Sequence, residues 1–252
     1  QYCGNEDLEG QEISLPKEYN RVIVIATEMS NQEIQKSPAV EAATDLGYSK
    51  VGFIVSSLAT FIRELGYKAI PAVNELGLSI PMAIDAGLGE LGRNGLLITP
   101  EYGSSVRIAK VFTNLPLDCD LPIDFGIQKF CEKCGLCAKY CSADALCKGK
   151  RMDKGWDKSN STGLLKWPIN AMKCFNFWVE NGNHCSVCIR VCPFTRFNPV
   201  YHSILNTFSS TEILTKMLVS LHEFLGIGKQ KNNKLLNNFM ETKIVKLSLI
   251  HI

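Results

Sequence analysis

Eight of the eleven cysteines lie at ligand spacings within one segment, Cys131–Cys192, and this spacing constrains the chain more than any other feature. The first run, FCEKCGLCAKYC at 130–141, has the spacing C-x2-C-x2-C-x3-C. Two-residue gaps let thiolates from one turn reach neighbouring irons of one cubane iron–sulfur cluster. The three-residue gap points the fourth sulfur away from that cluster. A loop region of this size has little core without metal, so we expect cluster binding and folding to be coupled here.

A second run lies downstream, where the cysteines have the spacing C-x10-C-x2-C-x3-C and are followed by Pro193. The first run has Ser142 where a proline is expected, which loosens the local turn without removing a ligand. In two-cluster ferredoxins the fourth cysteine of each run crosses to the other cluster. This pattern predicts two [4Fe-4S] clusters. One is assigned to Cys131, Cys134, Cys137 and Cys192, and the other to Cys141, Cys174, Cys185 and Cys188.

Two other uses of cysteine fit this sequence less well. Small disulfide scaffolds spread their cysteines through a short chain rather than crowding them at ligand spacings. Zinc sites take four ligands without the x2-x2-x3 crossover pattern. Cys3, Cys119 and Cys147 fall outside both runs, and we interpret them as ordinary thiols.

Apolar periodicity in the first half predicts alternating strands and helices, so the fold class is α/β (α+β). Strands are expected from Arg21 (RVIVIA), at Tyr67–Val73 and at Val106–Thr113, with helices at Ser37–Leu65 and near Pro81–Ala86. We expect a core over residues 1–125, a cysteine domain over 126–200 and a tail over 201–252 that packs on the core. The tail contains one amphipathic helix, ILTKMLVSLHEFLG.

Several functional classes are disfavoured by composition and context. A net charge of +2 without a long basic run argues against nucleic-acid binding. No apolar stretch reaches the roughly 18 residues of a membrane helix, and the sequence shows no export signal of its own. Gly87-x-Gly89-x-x-Gly92 matches a dinucleotide fingerprint as a string, but it follows a predicted helix rather than a strand, so a nicotinamide site is not expected.

The chain resembles the cobalamin-dependent reductive dehalogenases of organohalide respiration over roughly residues 21–228. The resemblance is carried by FIR-x-LGY, AGLGE-x-GR-x-G, LITPE-x-G, KVFT-x-LPL and the paired cysteine runs, in that order. It implies a nitroreductase-like corrinoid-binding core with an inserted ferredoxin-like domain. It also implies cobalamin bound base-off, without a protein histidine on the cobalt. The DxHxxG signature of histidine-ligating corrinoid proteins is absent, as it would be in a corrinoid-free protein.

The resemblance also implies roles for four side chains. Tyr48 matches the proton-donating tyrosine, and Arg107 matches the cation that stabilises its phenolate. Thr44 and Asn74 match positions that line the substrate pocket. From the residues alone, Tyr48 could equally be a packed aromatic, Arg107 an edge-strand residue, and Thr44 and Asn74 ordinary helix and turn residues. His202 would at most act indirectly.

Location and partners are expectations from the same resemblance. Family members are usually longer, with a twin-arginine export signal, and dock on the outer face of the cytoplasmic membrane through a small membrane-anchor protein. We therefore expect either a longer precursor or a cytoplasmic protein. The implied partners are a small halogenated organic substrate and a low-potential electron donor, and a homodimer is compatible with the family.

Two alternative functions stay open at this point. Epoxyqueuosine reductase shares the corrinoid and both clusters, but it normally has helical repeats after its cysteine zone and an aspartate in place of the tyrosine. The second alternative is an iron–sulfur electron carrier that has lost the corrinoid. A corrinoid absorption band would separate the two enzymes from the carrier.

Overall fold

The computed structural model describes residues 14–35, 40–157, 159–195 and 212–226. Five strands and eight helices lie in these ranges. The strands are β1 (Arg21–Glu28), β2 (Ala69–Ala72), β3 (Glu90–Leu91), β4 (Leu97–Ile98) and β5 (Val106–Thr113). The helices are α1 (Asn31–Ile34), α2 (Val40–Glu64), α3 (Ser79–Asp85), α4 (Ile127–Cys134), α5 (Leu136–Lys139), α6 (Ala171–Asn181), α7 (Val187–Arg190) and α8 (Glu212–Phe224).

The core is built on an antiparallel three-stranded sheet in the order β1-β5-β2. Arg21 and Ala69 both pair with Thr113, so β5 lies in the centre. The long helix α2 packs on one face, where Val51, Val55, Ala59 and Ile62 bury against Ala69, Ala109 and Val111. Because side chains alternate along a strand, Lys110 points to the opposite face, where α3 lies.

The predicted elements of this core are found at or near the expected positions. The strand from Arg21 and the strand Val106–Thr113 form as predicted, and the long helix occupies Val40–Glu64 within the predicted 37–65. Alternating apolar elements gave no information on strand direction, and the sheet is antiparallel throughout. The glycine-rich segment 87–95 forms part of a small hairpin of β3 and β4, which periodicity did not predict.

The cysteine region has short helices and much irregular chain. Helix α8, from the predicted amphipathic segment, packs against α4 of this region, with Leu218 in the same buried cluster as Cys131 and Cys192. Glu223 of α8 accepts hydrogen bonds from Lys139 Nζ (2.6 Å) and the Tyr140 hydroxyl (2.8 Å). The rest of the tail lies outside the described residues, and the boundaries at residues 126 and 200 stay predictions.

The cysteine region also contacts the core directly. Ser186 Oγ donates to the Ile34 carbonyl (3.1 Å), and Ile189 packs against Met29, Ile34 and Ala43. The second cysteine run therefore lies beside the N-terminal part of α2. Among the described helices, none is long and apolar enough to cross a membrane.

Candidate active site and cysteine sets

Tyr48 on α2 and Arg107 on β5 form the centre of a polar cluster at the edge of the core. The guanidinium carbon of Arg107 lies over the Tyr48 ring, 4.6 Å from its centroid. A cation at this distance from an aromatic face is attracted by the negative face of the ring. The interaction strengthens if the ring becomes a phenolate, because negative charge then spreads into it.

Thr44 and Asn74 complete this cluster. Arg107 Nη2 donates to Thr44 Oγ1 (3.1 Å), and Asn74 Nδ2 donates to the Tyr48 hydroxyl oxygen (3.4 Å). Arg107 Nε is buried without a hydrogen-bond partner in the described part of the chain. Burial lowers the pKa of Arg107, while Tyr48 and Asp45 act to raise it. Arginine remains charged in such a setting because its ordinary pKa is so high.

Gly47 allows Arg107 to reach this position. A Cβ at residue 47 would lie 2.9 Å from Arg107 Cγ and 3.1 Å from Met29 Cγ, closer than side chains normally pack. Glycine within a helix costs roughly 0.5–1 kcal/mol relative to alanine. This cost is offset here by the close approach of β5 to α2.

Gly47→Ala should therefore lower both stability and turnover. Overpacking of this kind typically costs about 1–3 kcal/mol, which exceeds the helix-propensity gain of about 1 kcal/mol. Gly52→Ala is the matched control on the same helix, since a Cβ there would meet nothing within 4 Å. It should raise stability slightly. Thermal unfolding of both variants tests this, and an equal stabilisation by the two substitutions would contradict the packing role of Gly47.

Lys110 holds the loop that carries Asn74, and sequence reasoning missed it. It is fully buried at 0% exposure, and its Nζ donates to the Val73 carbonyl (3.3 Å) and to Ser79 Oγ (2.9 Å). These two acceptors lie at the two ends of the loop between β2 and α3. The only sequence signal was a lysine between apolar neighbours in the mostly apolar strand β5.

All four side chains singled out in the sequence thus lie in one cluster, and their roles stay predictions. Tyr67, in the second LGY tripeptide of the chain, instead packs beside the buried contact of α2 with the sheet. His202 lies outside the described residues.

The first cysteine set surrounds a cavity. It is lined by Cys131, Cys134, Cys137 and Cys192, together with Arg93, Asn94, Ile98, Phe130, Gly135, Pro193 and Phe194. The pKa of the Cys131 thiol is raised to about 12, mainly by burial, with a smaller contribution from charge repulsion by Cys192. Burial also raises the pKa of Cys134 and Cys137, and in both cases Cys131 and Cys192 add to the increase. The fourth cysteine of the second run therefore lies with the first three of the first run.

The second cysteine set shows the reciprocal arrangement. Burial raises the pKa of Cys188, and the neighbouring thiolates of Cys185, Cys174 and Cys141 raise it further. Cys141 also raises the pKa of Cys174 and Cys185, after the larger effect of burial. Weaker charge repulsion from Cys188 also raises the pKa of Cys137, and weaker repulsion from Cys192 raises that of Cys188. The two sets therefore adjoin.

The donor chemistry of both sets fits a metal cluster. All eight cysteines are free thiols. Buried neutral thiols lose their protons when metal binds, because the thiolate is the ligand. Arg93 lines the first cavity at 4% exposure, and Arg190 lies near Cys185 at 7% exposure. Neither arginine has a carboxylate partner among the described residues, so a negatively charged cluster would balance a buried positive charge at each set.

Within the described ranges, no group of three or more His, Cys, Asp or Glu side chains is arranged to hold a metal ion. A cubane distributes its four thiolates over separate irons, so it needs a ring of cysteines around a cavity rather than convergence on one point.

Comparison with known proteins gives close relatives. The tetrachloroethene reductive dehalogenase of Sulfurospirillum multivorans is 39% identical over 224 residues, which are 88% of this chain and 45% of that protein. A tetrachloroethene reductive dehalogenase of Desulfitobacterium hafniense is 36% identical over 217 residues, 84% of this chain and 39% of that protein. The chain thus spans less than half the length of these relatives. No protein-family model matches it.

Solved structures show the same relationship. The catabolic reductive dehalogenase NpRdhA, in complex with 3-bromo-4-hydroxybenzoic acid, matches with a TM-score of 0.74 and 25% identity over 83% of this chain and 30% of that one. A more distant sequence relative is the epoxyqueuosine reductase of Lactococcus garvieae (strain Lg2), 26% identical over 194 residues, 69% of this chain and 49% of that protein.

The relatives that match most of this chain are reductive dehalogenases, which are oxidoreductases. The chain belongs to the reductive dehalogenase family, as its motifs predicted. This family uses a corrinoid and iron–sulfur clusters, and the cysteines for the clusters are present in the chain.

Proposed function

We propose that this chain is the catalytic region of a reductive dehalogenase that replaces a carbon–halogen bond of a small organic substrate by a carbon–hydrogen bond. The observation that supports this most directly is the contact of Tyr48, Arg107, Thr44 and Asn74 in one cluster, on the core that adjoins the two cysteine sets. The reaction consumes two electrons and one proton and releases halide. When bound, the corrinoid supplies the low-potential reductant for the carbon–halogen bond.

The clusters would provide the electrons. The set of Cys131, Cys134, Cys137 and Cys192 would hold one [4Fe-4S] cluster, and the set of Cys141, Cys174, Cys185 and Cys188 would hold the other. Such clusters span roughly −700 to +450 mV depending on their surroundings, so the low end suits this reaction. The two sets adjoin, which allows electrons to pass between them within the chain.

Tyr48 would donate the proton from its hydroxyl. Arg107, which lies over the ring, stabilises the phenolate that remains, and Asn74 donates a hydrogen bond to the same oxygen. Thr44 fixes the guanidinium by accepting from Nη2. No carboxylate hydrogen-bonds to these four side chains in the described residues, so the cluster consists mainly of donors and favours developing negative charge.

Arg107→Lys should lower turnover by about tenfold, which corresponds to the roughly 1.4 kcal/mol of a lost cation–π contact and its hydrogen bond. A flexible ammonium does not reproduce a planar guanidinium held between a ring and a hydroxyl. The measurement is the rate of halide release at equal iron and corrinoid content. An unchanged rate would remove Arg107 from the mechanism.

The function itself is tested by halide release. Protein loaded anaerobically with iron, sulfide and corrinoid is supplied with a strong chemical reductant and a chlorinated ethene, the substrate class in the names of the two tetrachloroethene reductive dehalogenases described above. Chloride and the product with one more hydrogen should form in equal amounts. Loaded protein that reduces an epoxyqueuosine substrate instead would favour the alternative enzyme, and loaded protein that only exchanges electrons would favour the carrier.

The expected partners and cellular location are also part of this proposal. They are a low-potential electron donor, a small membrane-anchor protein, and action on the outer face of the cytoplasmic membrane. A homodimer is compatible with them.

A further inference from the structure

The glycine-rich segment 87–95 carries two buried charged side chains that the proposed reaction does not use. Glu90 is 7% exposed and Arg93 is 4% exposed. Both belong to the motif AGLGE-x-GR-x-G, which lies in the core, yet both side chains reach the cysteine region. Burying a charge is costly unless it is hydrogen-bonded, so each needs a compensating role.

Arg93 is held against the first cysteine set by four hydrogen bonds. Its Nε and Nη2 donate to the carbonyl of Cys131 (3.0 and 2.9 Å), and its Nη1 donates to the carbonyls of Cys147 and Gly149 (both 2.9 Å). The guanidinium also lies 4.6 Å from the centroid of a Trp167 ring. All its acceptors are neutral carbonyls, so these contacts leave its positive charge uncancelled beside the cavity it lines.

Glu90 is held at the start of α4, the helix that contains Cys131 and Cys134. Its Oε1 accepts hydrogen bonds from the backbone N–H groups of Phe125 (2.7 Å) and Ile127 (3.1 Å). Helix α4 is therefore contacted by a fixed carboxylate at its start and by a fixed guanidinium at the Cys131 carbonyl. The positions of both charges are set by backbone contacts rather than by flexible surface geometry.

We propose that Arg93 and Glu90 set the reduction potential of the cluster held by Cys131, Cys134, Cys137 and Cys192, with Arg93 raising it and Glu90 lowering it. Reduction adds one negative charge to the cluster, so a nearby cation favours the reduced state and a nearby anion disfavours it. Net charge and hydrogen bonding are the means by which proteins tune such clusters. Both charges act strongly here because they are buried, where screening is weak.

The inference rests on the proposed clusters and adds two residues to the electron-transfer function. It also explains why charged residues occur in a segment whose glycines serve close packing, such as Gly89, where a Cβ would collide with the backbone of Ile98.

The test is a redox titration of both clusters by electron paramagnetic resonance in three variants of the loaded protein. Arg93→Gln should shift the potential of one cluster downward, and Arg93→Lys, which keeps the charge, should lie nearer to the wild type. Glu90→Gln keeps an oxygen acceptor for the two backbone N–H groups, so the helix start is preserved, and it should shift the same cluster upward. The potential of the other cluster should not move in any of the three.

Arg190→Gln provides the matched control, because Arg190 is equally buried but lies near Cys185 of the other set. It should move the other cluster. Unchanged potentials in Glu90→Gln and Arg93→Gln, or equal shifts in Arg93→Gln and Arg93→Lys, would overturn the inference. Protein without any clusters would instead contradict the proposed function, whereas two clusters with unmoved potentials contradict only this inference.

Discussion

Tyr48→Phe is expected to bind corrinoid and iron as the wild type does and to lose turnover by about 10²–10⁴-fold, the range that positioned general acids contribute. Phenylalanine keeps the ring under the Arg107 guanidinium, so the stacking contact is retained and only the proton donor is removed. The lost hydroxyl accepts a single long hydrogen bond, from Asn74 at 3.4 Å, so stability should change little. Initial rates of halide release at matched cofactor content measure the effect.

Tyr67→Phe is the matched control for this experiment. Tyr67 shares the local sequence LGY with Tyr48, but it packs beside the contact of α2 with the sheet, away from Arg107. Its replacement should leave turnover nearly unchanged. Full turnover by Tyr48→Phe at equal corrinoid occupancy would exclude Tyr48 as the proton donor.

Cys192→Ala is expected to lower the iron content from about eight to about four per chain, because it removes a ligand of one cubane only. Stability should fall with it, since Cys192 is buried in the cluster of residues that also contains Cys131, Phe194 and Leu218. Metal binding contributes directly to the folding free energy of such regions. Iron analysis and thermal unfolding of the anaerobically purified variant measure both effects.

Double variants distinguish the crossover assignment from a simple one. Cys131→Ala combined with Cys192→Ala should retain about four irons, because both residues serve the same cluster, whereas Cys141→Ala combined with Cys192→Ala should lose both clusters. Without crossover, Cys131 and Cys192 would serve different clusters, so the first double variant would lose both clusters as well. The second double variant loses both clusters under either assignment and serves as the reference for complete iron loss. Cys147→Ala is the control, since Cys147 is also buried in this region but belongs to neither set, and it should keep about eight irons.

The sequence predicted the core elements well where local pattern decides structure. The strand at Val106–Thr113 was predicted at its exact bounds, and the long helix within a few residues, because both have sustained apolar runs. Strand direction was not predictable, since it depends on how the segment between β2 and β5 returns the chain to the sheet. Lys110 was missed because β5 is buried on both faces near this residue, so the alternation of polar and apolar side chains breaks down.

In the candidate site, too, local sequence pattern did not predict contacts that depend on tertiary structure. Tyr48, Arg107, Thr44 and Asn74 were found through resemblance, and no periodicity would have placed residues so far apart in the chain next to one another. Glu90 and Arg93 were visible in a quoted motif but were not singled out, because charged residues among glycines usually lie in solvent. Their burial depends on the cysteine region folding over this segment, which is a tertiary effect.

The central claim, that the chain combines a corrinoid with two iron–sulfur clusters, is tested most directly by the cofactor content of protein made anaerobically in a corrinoid-supplied host. The account predicts about one corrinoid and about eight irons per chain, with a corrinoid absorption band on a broad iron–sulfur background. About eight irons without any corrinoid would contradict the enzymatic function and indicate an electron carrier.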